Sequence, residues 1–498
     1  MLEEACRLLE RAGRPRICVV GDLMLDTYVW GDVSRISPEG PIPVLRVERR
    51  DHRPGGAGSV AAMLTALGAD VQPVALVGDD AAGAALCACL AEAGMNTDTV
   101  VVSTERPTTT KTRYMGYVQS AGRALQQIVR VDEEATHPLS TREAADVHRG
   151  VMDAVAHADL VVIEDMGKGL LDEALIRRTI AEAARLGTRV VVDPERTQDY
   201  APYRGAAAVL PNRFETELAT GLSLRTEEDY ARAADRLLAD LGLACVMVKL
   251  DREGMYLATA AGERTRIASR VRQVADVTGA GDMVTAAFGV ALACGASERL
   301  AAVLANFAAG IEVTLHGATP LPRAELMGAL RAEADPTARK IVDREDLAQM
   351  RAGMRAAGRR VAFTNGCFDL LHLGHVQLLR YARAQGDLLI VGLNTDASVR
   401  RLKGPSRPIN CEQVRSRVLA SLADVDYVVL FDEESVLPLV DQLRPDVLVK
   451  GGDYTVEGVV GHELVQSYGG EVKLAPQAEG FSTTDLIRRI GENDERHD

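Results

Sequence analysis

The sequence predicts an α/β protein of two domains, each a parallel sheet with helices on both faces, the first also bearing a small covering sheet. Three observations carry this. Short apolar runs alternate with helical stretches of roughly ten to fifteen residues, the pattern of βαβ units. Several runs end on a polar residue: Asp165 after Leu-Val-Val-Ile-Glu, Asp193 after Val-Val-Val, Asn212 after Ala-Val-Leu-Pro. Ligands of such sheets bind beyond the strand carboxyl ends, so these side chains should converge on one crevice. Finally, Asp335-Pro336 opposes continuation of a helix where apolar density drops. Residues 1–334 therefore read as the first domain, 335–342 as a short linker and 343–498 as the second domain.

Composition narrows the function classes. The 498 residues include 57 basic and 71 acidic side chains, for a formal net charge of −14. That charge, with one Trp and 4% aromatic residues, argues against nucleic acid or an anionic membrane as partner. No apolar run approaches the roughly 18 residues of a membrane span, and the opening MLEEACRLLE lacks a signal-peptide pattern. A soluble cytoplasmic protein is expected. The 8 cysteines are scattered, and Cys87 and Cys89 stand two apart on a helix, where they share no face. Reduced thiols fit this better than disulfides or a zinc cage.

In chain order, 16–21 reads as a central strand delivering Asp22 and Asp26 to the crevice, as holders of sugar hydroxyls or as turn caps. Residues 43–48 alternate as a covering-sheet strand would, and Gly55-Gly56 stand in a loop that opens a helix at 60–67 and lets a ligand approach the backbone. Strand 71–77, helix 81–93, strands near 109–117 and 127–131, helix 141–156, strand 160–163, helix 173–186 and strand 189–192 follow. Lys111, Arg113 and Arg130 are basic and could face an anion or form a solvated basic face. Asn212-Arg213-Phe214-Glu215 has capping-box spacing, or could hold water around a magnesium ion.

The stretch Thr278-Gly279-Ala280-Gly281-Asp282 dominates the first domain. Glycines feeding a small, apolar helix at 283–294 present free N–H groups and the positive end of a dipole to an anion. Asp282 at that helix start suits a general base for a hydroxyl attacking a phosphoryl group; a simple N-terminal cap is the alternative.

Gly55-Gly56, Asn212-x-x-Glu215 and Asp276-x-Thr278-Gly279-Ala280-Gly281-Asp282, in that order, resemble the ribokinase family of sugar kinases over roughly residues 15–320. The resemblance implies a ribokinase-like three-layer domain with a small β covering sheet. It makes Asp282 the base and the preceding glycines an anion hole. Asn212, Arg213, Phe214, Glu215, Lys249, Thr278, Gly279, Ala280 and Gly281 fall to the nucleotide, and Asp22, Asp26, Gly55, Gly56, Ser59, Lys111, Arg113 and Arg130 to the sugar. ATP with Mg2+ held mainly by its phosphates, K+ as a monovalent cation and a homodimer built through the covering strands are also implied. Gly21-Asp22-Leu23-Met24-Leu25-Asp26 and Ser34-Arg35-Ile36-Ser37-Pro38-Glu39 resemble heptose 7-phosphate kinases in particular. Ser59 where Asn is usual, Met166 where Tyr is usual and Glu195 where Lys is usual depart from the pattern on the sugar side.

In the second domain, a strand at 360–364 leads into Asn365-Gly366-Cys367-Phe368-Asp369-Leu370-Leu371-His372-Leu373-Gly374-His375. Two histidines around a glycine at a helix start can donate hydrogen bonds to a pentacoordinate phosphate; no third ligand lies nearby for zinc. Strand 388–392, helix 411–420 and strands 427–430 and 447–449 complete the βαβ pattern. Lys403 and Arg407 could close over a triphosphate or be a solvated loop, and Ser482-Thr483-Thr484 opens a helix as a phosphate cradle. These motifs resemble the cytidylyltransferase-type nucleotidyltransferases over roughly 360–490, which implies a Rossmann-like domain with His372 and His375 catalytic. The resemblance assigns Asn365, Gly366, Phe368, Asp369, Gly374, Lys403, Arg407, Lys450, Gly452, Asp453, Ser482, Thr483 and Thr484 to the nucleotide. Kinase first and nucleotidyltransferase second is similar to the bifunctional heptose 7-phosphate kinase/heptose 1-phosphate adenylyltransferases. That family implies phosphorylation of a sugar phosphate at O1 and adenylyl transfer giving ADP-heptose, a lipopolysaccharide-core precursor. A cytidylyltransferase acting on another phosphate, or a non-catalytic nucleotide-sensing second domain, are the alternatives.

Overall fold

The computed structural model describes residues 1–118, 124–269, 278–314, 318–335, 337–452 and 454–476. They group into two units, Met1–Arg331 and Ala332–Asp498.

The first unit is built on a nine-stranded sheet in the order Arg264–Ile267, Met255–Thr259, Cys245–Lys249, Ala208–Val209, Arg189–Asp193, Leu160–Glu164, Arg16–Gly21, Asp70–Gly78, Val100–Ser103. All neighbours are parallel except the pairs made by Met255–Thr259. Val19, Val162 and Val191 bury into one apolar cluster with helices Ala57–Ala66 and Ala280–Ala293, while Val20, Ile163 and Val192 bury into another on the opposite face. Burial on both faces is why these strands read as unbroken apolar runs. Strand order reverses between Arg16–Gly21 and Leu160–Glu164, so the crevice opens at Asp22 and Asp165.

A four-stranded covering sheet runs in the order Pro43–Gly56, Leu23–Ile36, Thr110–Val118, Ala124–Glu133. Two expectations change here. Asp26 does not end the central strand; it stands within the covering sheet, in register with Arg53 on one side and Lys111 on the other. Gly55 and Gly56 are not in a loop, because antiparallel pairing continues to Met24 and Leu23 and makes them the end of a strand. The helix after them starts at Ala57, which places Ser59 in its first turn.

The helix expected at 283–294 begins at Ala280 and is buried along almost its whole length. Gly279 precedes it with φ +95, a left-handed conformation; a Cβ there would stand 2.7 Å from that of Ala318. Only glycine fits both constraints.

The second unit holds a six-stranded parallel sheet in the order Ile341–Val342, Tyr427–Phe431, Leu388–Asn394, Val361–Gly366, Val447–Lys450, Glu471–Leu474. The stretch expected to be a linker thus supplies the edge strand Ile341–Val342, whose β-branched pair suits an extended backbone and lies in parallel register with Val428 and Val429. Phe363, Ile390, Val429 and Leu448 pack on one face; Ala362, Leu389, Val428 and Val447 pack on the other. Order reverses between Val361–Gly366 and Val447–Lys450, which sets the crevice at Gly366 and Lys450.

Candidate functional site

The first unit gathers its charged groups where the central strands end. Met283 donates the first helical hydrogen bond, to the Gly279 carbonyl at 2.9 Å, so the amides of Ala280, Gly281 and Asp282 stand free at the helix start. Asp282 keeps some solvent exposure, yet loss of hydration pushes its pKa up to about 6. The Ser59 hydroxyl and Lys249 pull it down, and Asp193 and Asp26 push it up. A carboxylate tuned near neutrality is matched to proton abstraction.

Lys249 is largely buried and bound to both oxygens of Asp193, at 2.8 and 2.7 Å. Burial draws its pKa down, but Asp193 and Glu215 reverse this and hold it above the usual lysine value. Thr285, one turn into the helix, donates to the same Asp193 at 2.8 Å. Glu164, 1% exposed, lies beside this cluster with its Oε2 unpartnered. Burial first, then Asp193 and Asp282, raise its pKa well above the usual carboxylate range.

Asn212 and Glu215 form the reciprocal capping box. The Glu215 amide donates to the Asn212 side chain at 2.9 Å, and the Asn212 amide donates to Glu215 at 2.8 Å. Glu215 is buried and its pKa is raised by that burial, against the pull of Lys249. Arg213 points elsewhere: it bonds to Glu253 at 2.7 Å and lies over the Tyr230 ring. Phe214 is exposed. These two are drawn away from the cluster because adjacent positions on a helix face different directions. Thr278 abuts the cluster's helix, and Asp276 lies outside the described residues.

On the covering-sheet side, Arg113 donates to Asp26 at 2.7 Å, with both side chains mostly buried. A Cβ on Gly55 would come within 2.9 Å of the Asp26 carboxyl, so the glycine makes room for that pair. Burial lowers the pKa of Lys111; Asp26 opposes this, and Lys168, Arg113 and Arg130 reinforce it. Such crowding of cations favours a bound anion. Arg130 is committed to Asp132 through two bonds of 2.9 Å on its own exposed strand.

Asp22 is placed at the switch point, but its carboxylate accepts from the amides of Met166, Lys168 and Leu170 at 3.3, 3.1 and 3.3 Å. It therefore clamps the 166–170 loop. Gly56 adjoins it through the amide of Ala57, which donates to the Asp22 carbonyl at 3.1 Å. Asp165, just before that loop and bonded by the Tyr203 hydroxyl at 2.9 Å, is pushed up to about 7 by burial. The sequence places Asp165 and Asp193 at the crevice as strand ends, but Thr285 and Tyr203 join them through contacts whose spacing carries no signal.

One consequence is a pH dependence. Acting as a base, Asp282 would have to be ionised, so a reaction that uses it in that way should slow as pH drops through about 6 and level off above 7. A kcat–pH profile at saturating substrates checks this. A profile that stays flat to pH 5 contradicts it.

In the second unit, Asn365 and Gly366 end the strand Val361–Gly366. Phe368 follows with φ 43. His372 and His375 stack with ring centroids 3.8 Å apart, and Phe368 lies 5.1 Å from His375. His372 caps helix Leu373–Arg383, so Gly374 sits in its open first turn. Burial, then the charges of His372 and Lys403, push His375 down to about 4; burial lowers His372 too. Both rings are neutral at pH 7, each with an Nδ1 that has no hydrogen-bond partner.

Lys450 donates to the Asn365 carbonyl at 3.0 Å, and Gly452 follows it at the crevice edge. Asp369 is not available to a ligand in the way expected. It is 3% exposed, and it accepts from Arg407 at 2.6 Å and from the amides of Ile409 and Asn410 at 2.7 and 3.1 Å. Both of its oxygens are engaged by a loop that folds back on it. Lys403 ends helix Asp396–Lys403. Asp453, Ser482, Thr483 and Thr484 lie outside the described residues. Among the described residues, no three His, Cys, Asp or Glu side chains converge as metal ligands, and no helix is long and apolar enough to cross a membrane.

Comparison with known proteins follows the same division. The family model for pfkB family carbohydrate kinases matches residues 14–324, and the cytidylyltransferase-like model matches residues 363–489. Bifunctional protein HldE of Trichlorobacter lovleyi is 44% identical over 483 residues, covering 97% of each chain. The Geobacter sulfurreducens protein of that name is 44% identical over 487 residues, with 97% of each chain covered. That of Mesorhizobium japonicum is 43% identical over 486 residues, covering 97% of this chain and 96% of its own. Among solved structures, Arabidopsis thaliana ribokinase complexed with ribose and ATP aligns at TM-score 0.51 and 23% identity, covering 64% of this chain and 99% of its own. Escherichia coli phosphofructokinase-2 in complex with potassium aligns at TM-score 0.53 and 20% identity, with 64% and 99% covered. At those identities the structures establish the fold of the first unit.

Proposed function

This chain belongs to the family of bifunctional HldE proteins, a pfkB-family sugar kinase and a nucleotidyltransferase in one polypeptide, and we propose that it acts twice in cytoplasmic ADP-heptose biosynthesis. The kinase transfers the γ-phosphoryl group of ATP to O1 of D-glycero-β-D-manno-heptose 7-phosphate. A separate phosphatase removes the 7-phosphate. The second unit then joins heptose 1-phosphate to the AMP part of ATP and releases pyrophosphate.

In this reading the Asp282 carboxylate takes the proton from O1–H as that oxygen attacks phosphorus. The free amides of Ala280, Gly281 and Asp282 meet the charge on the transferred group, in place before reaction begins. Lys249, held by Asp193, adds positive charge beneath them. Lys111 and Arg113 meet the 7-phosphate. Glu215, a buried carboxylate next to the Asn212 amide side chain, offers the oxygen donors that magnesium prefers. Asn212 and Glu215 would hold the hydrated ion, which neutralises phosphate charge when bound with ATP.

In the second unit the substrate phosphate attacks the α-phosphorus of ATP directly. Neutral His372 and His375 donate N–H bonds to the charge that develops there, supported by the amides at the start of Leu373–Arg383. Lys403 and Arg407 meet the departing pyrophosphate.

The observation that carries the proposal is the convergence of Asp282, Ser59 and Lys249 at an open helix start, in a chain whose relatives match along its length. Phosphorus NMR of the protein with ATP, Mg2+ and heptose 7-phosphate, followed by phosphatase, tests it. An anomeric phosphate and then a pyrophosphate-linked sugar nucleotide are expected. ADP release with another sugar phosphate alone, or coupling with CTP but not ATP, would overturn the substrate assignment.

A further inference from the structure

Arg415, on helix Glu412–Ala420, is 2% exposed and lies outside every motif described above. Its guanidinium makes four hydrogen bonds to three separate segments. Nη1 donates to the carbonyls of Cys367 at 2.6 Å and Asn394 at 2.9 Å. Nε donates to the Asn410 carbonyl at 2.9 Å, and Nη2 to Asp396 at 2.7 Å.

Each segment carries a group that faces the nucleotide in the proposed reaction. Cys367 belongs to the turn that leads through Phe368 to His372 and His375. Asp396 opens the helix that ends at Lys403. Asn410 closes the loop bearing Arg407, whose other attachment is Asp369. Arg407 spends Nε on Asp369 and leaves a buried Nη2 unpartnered. The helix of Arg415 strengthens the joint from a second position, since Glu412 accepts the Asp396 amide at 2.7 Å.

We propose that Arg415 is a positioning residue for adenylyl transfer, one planar guanidinium that sets the spacing between the elements carrying His375, Lys403 and Arg407. This rests on the nucleotidyltransferase reading of the second unit. The chemistry selects arginine. Five N–H donors in a fixed plane can reach carbonyls in divergent directions at once, whereas an ammonium offers three donors from a single atom. A displacement near 1 Å at the reacting groups suffices for a rate loss of about 10²-fold.

The test uses the full-length chain, because its kinase serves as an internal control. R415K should lower kcat/KM for adenylation of heptose 1-phosphate about 100-fold and raise the KM for ATP about tenfold. The kinase kcat of the same preparation should not change. KM makes the test discriminating: a residue that merely holds the fold lowers the number of active sites, which reduces kcat and leaves KM where it was. D396N keeps the shape of that partner and removes its charge, so it should show the same rise in KM to a smaller degree even if R415K unfolds the second unit. An unchanged KM for ATP in both variants would overturn the proposal. Pyrophosphate release by the wild type is settled separately by the NMR experiment, so failure of the nucleotidyltransferase reading and failure of this inference are distinguishable.

Discussion

Asp282→Asn is expected to lower kcat for sugar phosphorylation by about 10³-fold, within the range of a lost general base, and to leave adenylyl transfer at its wild-type rate. Asparagine keeps the size of the side chain and can still meet the Ser59 hydroxyl. It cannot accept the proton. The helix amides, Lys249 and its Asp193 partner stay in place, so ATP and sugar still bind. The loss therefore belongs in kcat and not in KM. The residual rate should also lack the decline near pH 6, because the group responsible has gone. Parallel steady-state assays of the two activities check both statements. A D282N enzyme within tenfold of wild type would mean that the substrate hydroxyl loses its proton elsewhere, with Asp282 serving only as an acidic residue in the first turn of its helix.

His375→Ala should produce the converse: a loss of about 10²–10³-fold in adenylyl transfer, the magnitude found when one donor to a developing charge is removed, with the kinase unaffected. The ring is neutral at pH 7, since burial and its neighbours push it down to about 4. In the proposed reaction it would therefore contribute as an N–H donor. H375Q, which retains an N–H at similar reach, should recover part of the rate, whereas an acid–base role would leave glutamine as poor as alanine. The stacking of His372 on His375 at 3.8 Å makes the pair interdependent, so H372A/H375A should cost less than the product of the single losses. Rates of pyrophosphate release for the four variants decide this.

The sequence made the two crevices legible because chemistry there is tied to backbone shape. Gly279 must be glycine for its φ of +95, and Gly55 must be small to admit Asp26; spacing alone exposes such constraints. Parallel strands buried on both faces were equally readable, as in the run of valines at 190–192. What stayed hidden depends on contacts between distant residues. Asp369 belongs to a motif, yet nothing local says that its oxygens go to a loop some forty residues later. The bond between Ser59 and Asp282 joins two helix starts far apart in sequence. Arg415 looks like any arginine of a polar helix until its four partners are seen. Ile341–Val342 is too short to announce a strand, and only pairing with Tyr427–Phe431 makes it one. Asn212 and Glu215 show the limit of local reading from the other side: the spacing predicts a capping box, and the box is present, while proximity to Lys249 keeps Glu215 in the crevice as well.

The central claim is that one chain carries two separate sites working in succession on one sugar. Complementation tests it most directly. D282N and H375A proteins are mixed with ATP, Mg2+, heptose 7-phosphate and a phosphatase, and ADP-heptose is followed by phosphorus NMR. The account predicts product from the mixture at a rate comparable to wild type, and essentially none from either variant alone. Product from a single variant at a rate near that of the mixture, or none from the mixture, would contradict two independent sites.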